Sequence, residues 1–108
     1  MKILTAGHKY ELENFEAKDK PGQTIQFIEK MPLPANAEGA PGTLVTVNDG
    51  TTNEEVLAVL IDRLNSMQAK FPCRENAIAI THIETGLLWL EKRTAERKAR
   101  GVEGKALK

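Results

Sequence analysis

Hydrophobic positions change period midway along this chain. In the first half they come in short runs bounded by turn residues. Lys2–Thr5 and Lys9–Leu12 flank Ala6-Gly7-His8, Thr24–Glu29 puts Ile25 and Phe27 on one face, and Leu44–Val47 is rich in β-branched residues. Alternation of this kind, with β-branched and aromatic enrichment, predicts strands, and Ala6-Gly7-His8 reads as a tight hairpin. Asp19-Lys20-Pro21-Gly22 is a turn signal, and Pro32 to Gly42, with three prolines and two glycines, reads as a loop. The first half therefore predicts a small antiparallel sheet of three or four strands.

The second half is helical. After the Asn48-Asp49-Gly50 turn, Thr52-Asn53-Glu54-Glu55 has the form of a capping box, an N-cap threonine with a glutamate three residues later. The first helix then runs to about Ala69, with Val56, Leu57, Leu60, Ile61, Leu64 and Met67 on a wide apolar face. Pro72 marks the connection. A second helix runs from about Arg74 to Ala99, and Gly101 is placed to cap its end. So short a connection makes the two helices antiparallel. The fold class expected is α+β: one domain with a strand region over 1–48, a helical hairpin over 52–100 and a tail over 101–108.

Charge sharpens this picture. The chain has no net charge, yet residues 92–108 hold seven Lys/Arg against two Glu, and the rest holds eight against thirteen Asp/Glu. The excess of five positive charges is thus concentrated at one end, which suits anion binding better than broad contact with a nucleic-acid duplex. One cysteine, Cys73, allows no internal disulfide and fits a reducing compartment. With two histidines far from it, Cys73 makes a poor zinc set. No metal, cofactor or membrane contact is expected, and a cytoplasmic location follows from the lack of an apolar signal or spanning run.

Arg93, Arg97 and Arg100 carry the candidate chemistry. Their i, i+4, i+7 spacing puts three guanidinium groups on one helical face, and such forks bind phosphate oxygens in pairs. Nothing nearby supplies a nucleophile or activated base, so the residues point to binding rather than turnover. Asn76 lies seventeen residues before Arg93, roughly 25 Å along a helix. A small ligand touching both would have to lie between two copies of the chain. The succession Leu87-Leu88-Trp89 also covers more of the helix than one narrow stripe, which again favours a homo-oligomer.

The runs Thr51–Leu57, Phe71-Pro72-Cys73-Arg74-Glu75-Asn76 and Trp89 to Gly104 resemble the phage Thoeris anti-defence sponge family, whose helical hairpin is shared with phage anti-CBASS sponges. Gly7–Leu12 and Thr24–Lys30 resemble the strand region of the Thoeris branch. The resemblance implies a protein of the infected bacterial cytoplasm that sequesters cyclic ADP-ribose isomers, and in some members cyclic di- or trinucleotides, without cleaving them. It implies a homodimer or hexamer, with Asn76, Arg93 and Arg97 as ligand contacts. A base-stacking aromatic is also implied; Phe71 is the nearest candidate, with Ser66 or Met67 at the equivalent position. Arg100, Gly101, Val102 and Gly104 are candidates for a second pocket.

Simpler roles compete for each residue. The arginines also favour a helix C-terminus through its dipole, and Lys92 to Glu96 is an ordinary surface pair. Asn76 in a first turn can serve backbone groups, while Phe71 and Trp89 are expected as packing side chains. His8, His82 and Cys73 are expected to be structural or solvated, and Asp49-Gly50 to be turn chemistry rather than a calcium loop. The alternative function is a nucleic-acid or protein adaptor using the basic final helix. An enzyme that degrades nucleotides would need paired histidines or a metal cluster.

Overall fold

The structure, a computed structural model, describes residues 1–33 and 42–101. They form two compact units, one of residues 1–52 and one beginning at Asn53. The architecture is α+β: short antiparallel strands followed by a pair of long helices.

The first unit begins with β1 (Lys2–Thr5), β2 (Lys9–Glu11) and β3 (Thr24–Gln26), a three-stranded antiparallel sheet in that order. The β1–β2 turn closes through His8 N–H donating to the Thr5 carbonyl at 3.0 Å. Gly7 takes φ 77 there, a left-handed conformation that glycine enters without steric cost. Tyr10 faces Ile25 across the β2–β3 pair, and its ring meets Phe27 edge-on at 6.0 Å. Half-buried aromatic and β-branched neighbours of this kind stabilise one sheet face.

The expected strand Thr24–Glu29 is broken. Phe27 leaves the sheet to form an isolated parallel bridge with Thr51, with Thr51 N–H donating to the Gln26 carbonyl and Ile28 N–H to the Thr51 carbonyl, both at 2.9 Å. Gly50 packs directly on the Gln26 carbonyl, where a Cβ would overlap it. Beyond the break lies β4 (Glu29–Pro32), which pairs antiparallel with β5 (Leu44–Asn48) as a separate two-stranded ribbon. Five strands in two sheets thus replace the three or four expected in one. Pro32, expected in a loop, ends β4 opposite Leu44, a position at a strand end and ribbon edge where a missing N–H is tolerated. The remainder of the expected loop, 34–41, lies outside the described residues.

The second unit is a helical hairpin of α1 (Asn53–Lys70) and α2 (Arg74–Ala99). Its seam follows a three–four spacing. On α1, Glu54, Leu57, Ile61, Leu64 and Gln68 are half-buried. On α2, Asn76, Ile80, Ile83, Leu87, Leu90, Thr94 and Arg97 are half-buried or buried. Alternating steps of three and four residues keep one stripe of each helix facing its neighbour. The seam is thin: Ile80 is the one buried hydrophobic side chain among the described residues. Of the wide apolar face expected on α1, Leu60 and Met67 are exposed, as is Val59.

Candidate functional site

The second unit positions every candidate residue that the structure describes. α2 starts at an unusual cap. Cys73 is extended, with φ −148 and ψ 157, and its thiol sulfur accepts from the Asn76 N–H at 3.4 Å. That geometry is the N-cap arrangement usually made by Ser, Thr, Asn or Asp, and it satisfies one of the orphan donors of the first turn. The Gln68 side chain grips the Cys73 backbone from α1, accepting from its N–H at 3.0 Å and donating to its carbonyl at 2.8 Å. Asn76 is therefore anchored by a short chain of bonds from one helix to the other. Its side chain is half-buried on the seam.

At the opposite end, α2 closes on Arg100, whose N–H donates to the Glu96 carbonyl, and on Gly101 at φ 69, whose N–H donates to the Lys98 carbonyl. Gly101 is the C-terminal cap expected of it. Of the second-pocket candidates, Arg100 and Gly101 are exposed at this cap, while Val102 and Gly104 lie outside the described residues.

The three arginines do not share one environment. They fall within roughly 60° of helical arc, at about 100° per residue, but Arg97 sits on the seam and Arg93 and Arg100 sit beside it. Arg97 retains only 9% of its exposure and is engaged within the fold, whereas Arg93 and Arg100 face solvent. The three keep one side of the helix, but the middle one is buried while the outer two are exposed. The physical reason is the seam itself: the three–four step that buries Leu90 and Thr94 reaches Arg97 next. Its long aliphatic stem suits that position. No buried side-chain nitrogen or oxygen among the described residues lacks a hydrogen-bond partner.

Both aromatic expectations are reversed. Phe71, read as a plug between the helices, is 81% exposed at the connection. Trp89, read as a packing residue, is 64% exposed, with the Lys92 ammonium 4.9 Å from its ring centre. Lys92 also reaches Glu96 at 3.9 Å, the expected surface pair. Phase explains the tryptophan: Leu90 takes the seam, and Trp89 lies about 100° round the helix from it. Ser66 and Met67 are exposed near the end of α1.

The grooves of this unit carry mixed chemistry. One of about 400 Å³ has an apolar floor of Ala58, Ile61, Leu87 and Leu88, edged by Asp62, Asn65 and Glu84. Another of about 290 Å³ is lined by Glu54, Glu91, Thr94, Ala95 and Lys98. A third, of about 320 Å³, lies near the start of α2 and is lined by Arg74, Ala77, Ile78, Thr81 and His82. Asn76, Arg93 and Arg97 line none of these three. By helical rise, Asn76 and Arg93 stand roughly 25 Å apart in one chain, so the hairpin does not bring them together. Among the described residues, no cluster of His, Cys, Asp and Glu is arranged to hold a metal, and no helix is long and apolar enough to cross a membrane.

A thin-seamed helical hairpin, capped by cysteine at one end and edged by arginine at the other, is the class of domain that this geometry defines. Comparison places it: residues 35–95 match the model of the Acb2/Tad1 hairpin domain, and the chain belongs to that family. The matched stretch includes Asn76 and Arg93 and ends before Arg97. The chain is also similar to Thoeris anti-defense 1 of Bacillus phage SBSphiJ7, 49% identical over 75 residues, which cover 58% of this chain and 53% of that protein. The chain therefore spans about half the length of this curated relative.

Proposed function

We propose that this chain is a phage anti-defence protein that captures a cyclic ADP-ribose-type signalling nucleotide and holds it intact, blocking Thoeris or CBASS immune signalling. One observation carries the reading most directly. The family-matched hairpin ends in a solvent-facing Arg93, in a chain whose relative is named for anti-defence against Thoeris.

The chemistry supports it. Arg93 forks the pyrophosphate, each charge-assisted bond contributing about 1.5–3 kcal/mol. Asn76 both donates and accepts, which suits a ribose hydroxyl or an adenine edge. Arg97, already fixed in the seam, contributes from its exposed edge at little ordering cost. Since Asn76 and Arg93 are far apart within one hairpin, the site is completed by a second copy in antiparallel pairing, with Asn76 of one protomer beside Arg93 of its partner. The thin core supports such an assembly, dimer or hexamer. Val59, Leu60, Ile78 and Leu88 stay exposed, and apolar surface left open in this way marks association sites.

Capture and release tests the reading. The protein is mixed with cyclic ADP-ribose isomers and cyclic di- and trinucleotides, separated by filtration and heated. Ligand that disappears and returns intact establishes a sponge; return as fragments establishes an enzyme. Free ligand throughout, with binding to long polyanions that collapses in salt, establishes the adaptor reading.

A further inference from the structure

A charged depression of about 230 Å³ lies on the first unit, at the open end of the β1–β2 pair. Glu11, Leu12 and Glu13, where β2 ends, line it together with Lys2 of β1 and with Lys18 and Lys20 of the loop that follows. We propose that this depression binds a small amino dicarboxylate, a molecule with two carboxylates and one ammonium, of the size of a free acidic amino acid.

Three ammonium groups and two carboxylates surround one concavity, a net of one positive charge. No two of these five groups form an ion pair, although Lys2 and Glu11 are direct partners across the strands. Opposite charges gathered round a depression but left unjoined are open to a ligand that carries both signs, and a concave wall concentrates their field. The balance of charge selects the ligand class. A simple dianion is repelled by the two glutamates, and a diamine by the three lysines. Two carboxylates with one ammonium mirror the site, offering anions to the lysines and a cation to Glu11 and Glu13. Lysine suits such a partner, because its ammonium is a compact charge with three donors. Among the described residues, no arginine or aromatic side chain lines the depression, which separates it from the nucleotide chemistry of the hairpin. Its volume, about 230 Å³, lies below the roughly 300–1,000 Å³ of sites for drug-sized ligands, so the occupant is smaller.

The loop that carries Lys18 and Lys20 is built rather than slack. The Asn14 amide donates to the carbonyls of Ala17, Lys20 and Pro21 at 3.3, 3.2 and 3.2 Å. The Lys18 N–H donates to the Glu16 carbonyl at 3.0 Å and the Lys20 N–H to the Ala17 carbonyl at 3.1 Å. Leu12 N–H donates to the Gln23 carbonyl at 2.7 Å, and Gly22 lies so close to the Leu12 carbonyl that a Cβ would overlap it. A compact loop pinned by its own side chains holds both lysine backbones in place before a ligand arrives, so less ordering opposes binding.

L-glutamate is the probe. The full-length, isotope-labelled protein is titrated with it while backbone amide signals are followed by NMR. Succinate, which lacks the ammonium, putrescine, which lacks the carboxylates, and sodium chloride at matched ionic strength are the controls. Glutamate is expected to shift the amides of Lys2 and of residues 11–20 along a saturating curve that none of the controls reproduces. Lys18→Gln combined with Lys20→Gln weakens its binding roughly 4–25-fold, since one exposed charge contact contributes about 2–5-fold. Glu13→Gln weakens it about 2–5-fold and brings succinate closer to glutamate. Glu13, Lys18 and Lys20 are exposed, so the melting temperatures of these variants stay at the wild-type value. Shifts that sodium chloride reproduces, or no saturating shift at all, overturn the proposal and make the depression a solvated surface. Succinate binding as tight as glutamate, with no effect of Glu13→Gln, also overturns it, since the lysines then hold any dianion. None of these outcomes bears on capture by the hairpin, which a nucleotide assay reads separately.

Discussion

Gln68 on α1 makes both of its amide bonds to a single residue, accepting from the Cys73 N–H at 3.0 Å and donating to the Cys73 carbonyl at 2.8 Å. This fixes the three-residue connection of the hairpin from the side of the first helix. It also fixes the residue whose sulfur caps the second. Gln68→Ala removes both bonds and leaves two backbone groups to water, at about 1–2 kcal/mol in a site this exposed. A melting temperature several degrees below wild type in circular dichroism is the expected result. Gln68→Glu keeps the acceptor, loses the donor and falls between the two.

Cys73 caps α2 with a weak acceptor, its sulfur 3.4 Å from the Asn76 nitrogen. A hydroxyl oxygen accepts more strongly and is preferred at this position. Cys73→Ser is therefore expected to stabilise the protein by about 0.5–1 kcal/mol, and Cys73→Ala to destabilise it by a similar amount. Denaturant midpoints of the three proteins check the order. If serine and alanine behave alike, the thiol is not acting as the cap.

The hairpin was legible because its signals are local. The Pro72 interruption, the three–four spacing from Leu57 to Arg97 and the glycine at 101 each act within a turn or two. The position of Arg97 was legible in principle as well: it continues the step that runs Ile83, Leu87, Leu90, Thr94. Its chemistry groups it with Arg93 and Arg100, while its phase places it on the seam. Other features are not local. The break after Gln26 depends on Gly50 and Thr51, more than twenty residues away, arriving to take its carbonyl. The strand at Glu29–Pro32 depends on a partner at Leu44–Asn48, and its proline argued against it in isolation. Nor does composition reveal that the largest aromatic stays outside, since Trp89 and Leu90 differ only in which of them meets the seam. The Cys73 cap was missed because sulfur is rarely counted among capping acceptors, although its place directly before a helix start was visible.

A hairpin with one buried hydrophobic residue among the described residues and exposed Val59, Leu60, Ile78 and Leu88 carries too little seam to be strongly stable alone. Its stability is expected to depend on concentration. Light scattering at micromolar protein should give at least twice the 11.9 kDa chain mass, and the melting temperature should rise with dilution reversed, that is, with increasing protein. Leu60→Lys, on an exposed helical face where a single chain has no use for an apolar group, is expected to lower both. A monomeric mass across this range removes the cross-protomer pairing of Asn76 with Arg93.

Arg93 and Arg97 are one turn apart, yet their burial separates what their loss should do. Arg93 faces solvent, so Arg93→Ala is expected to change stability by no more than about 0.5 kcal/mol while abolishing capture of a cyclic ADP-ribose isomer. Arg97 is only 9% exposed and is not without a partner. Its truncation removes a buried aliphatic stem as well as a charge, and Arg97→Ala is expected to cost about 1–3 kcal/mol whatever it does to binding. Thermal melts and capture assays on the two variants, run side by side, separate these effects. An Arg93→Ala protein that melts like wild type and still captures ligand fully removes Arg93 from the site. An Arg97→Ala protein with an unchanged melt shows that the seam does not need its arginine, and any loss of capture in that variant is then a direct loss of ligand contact.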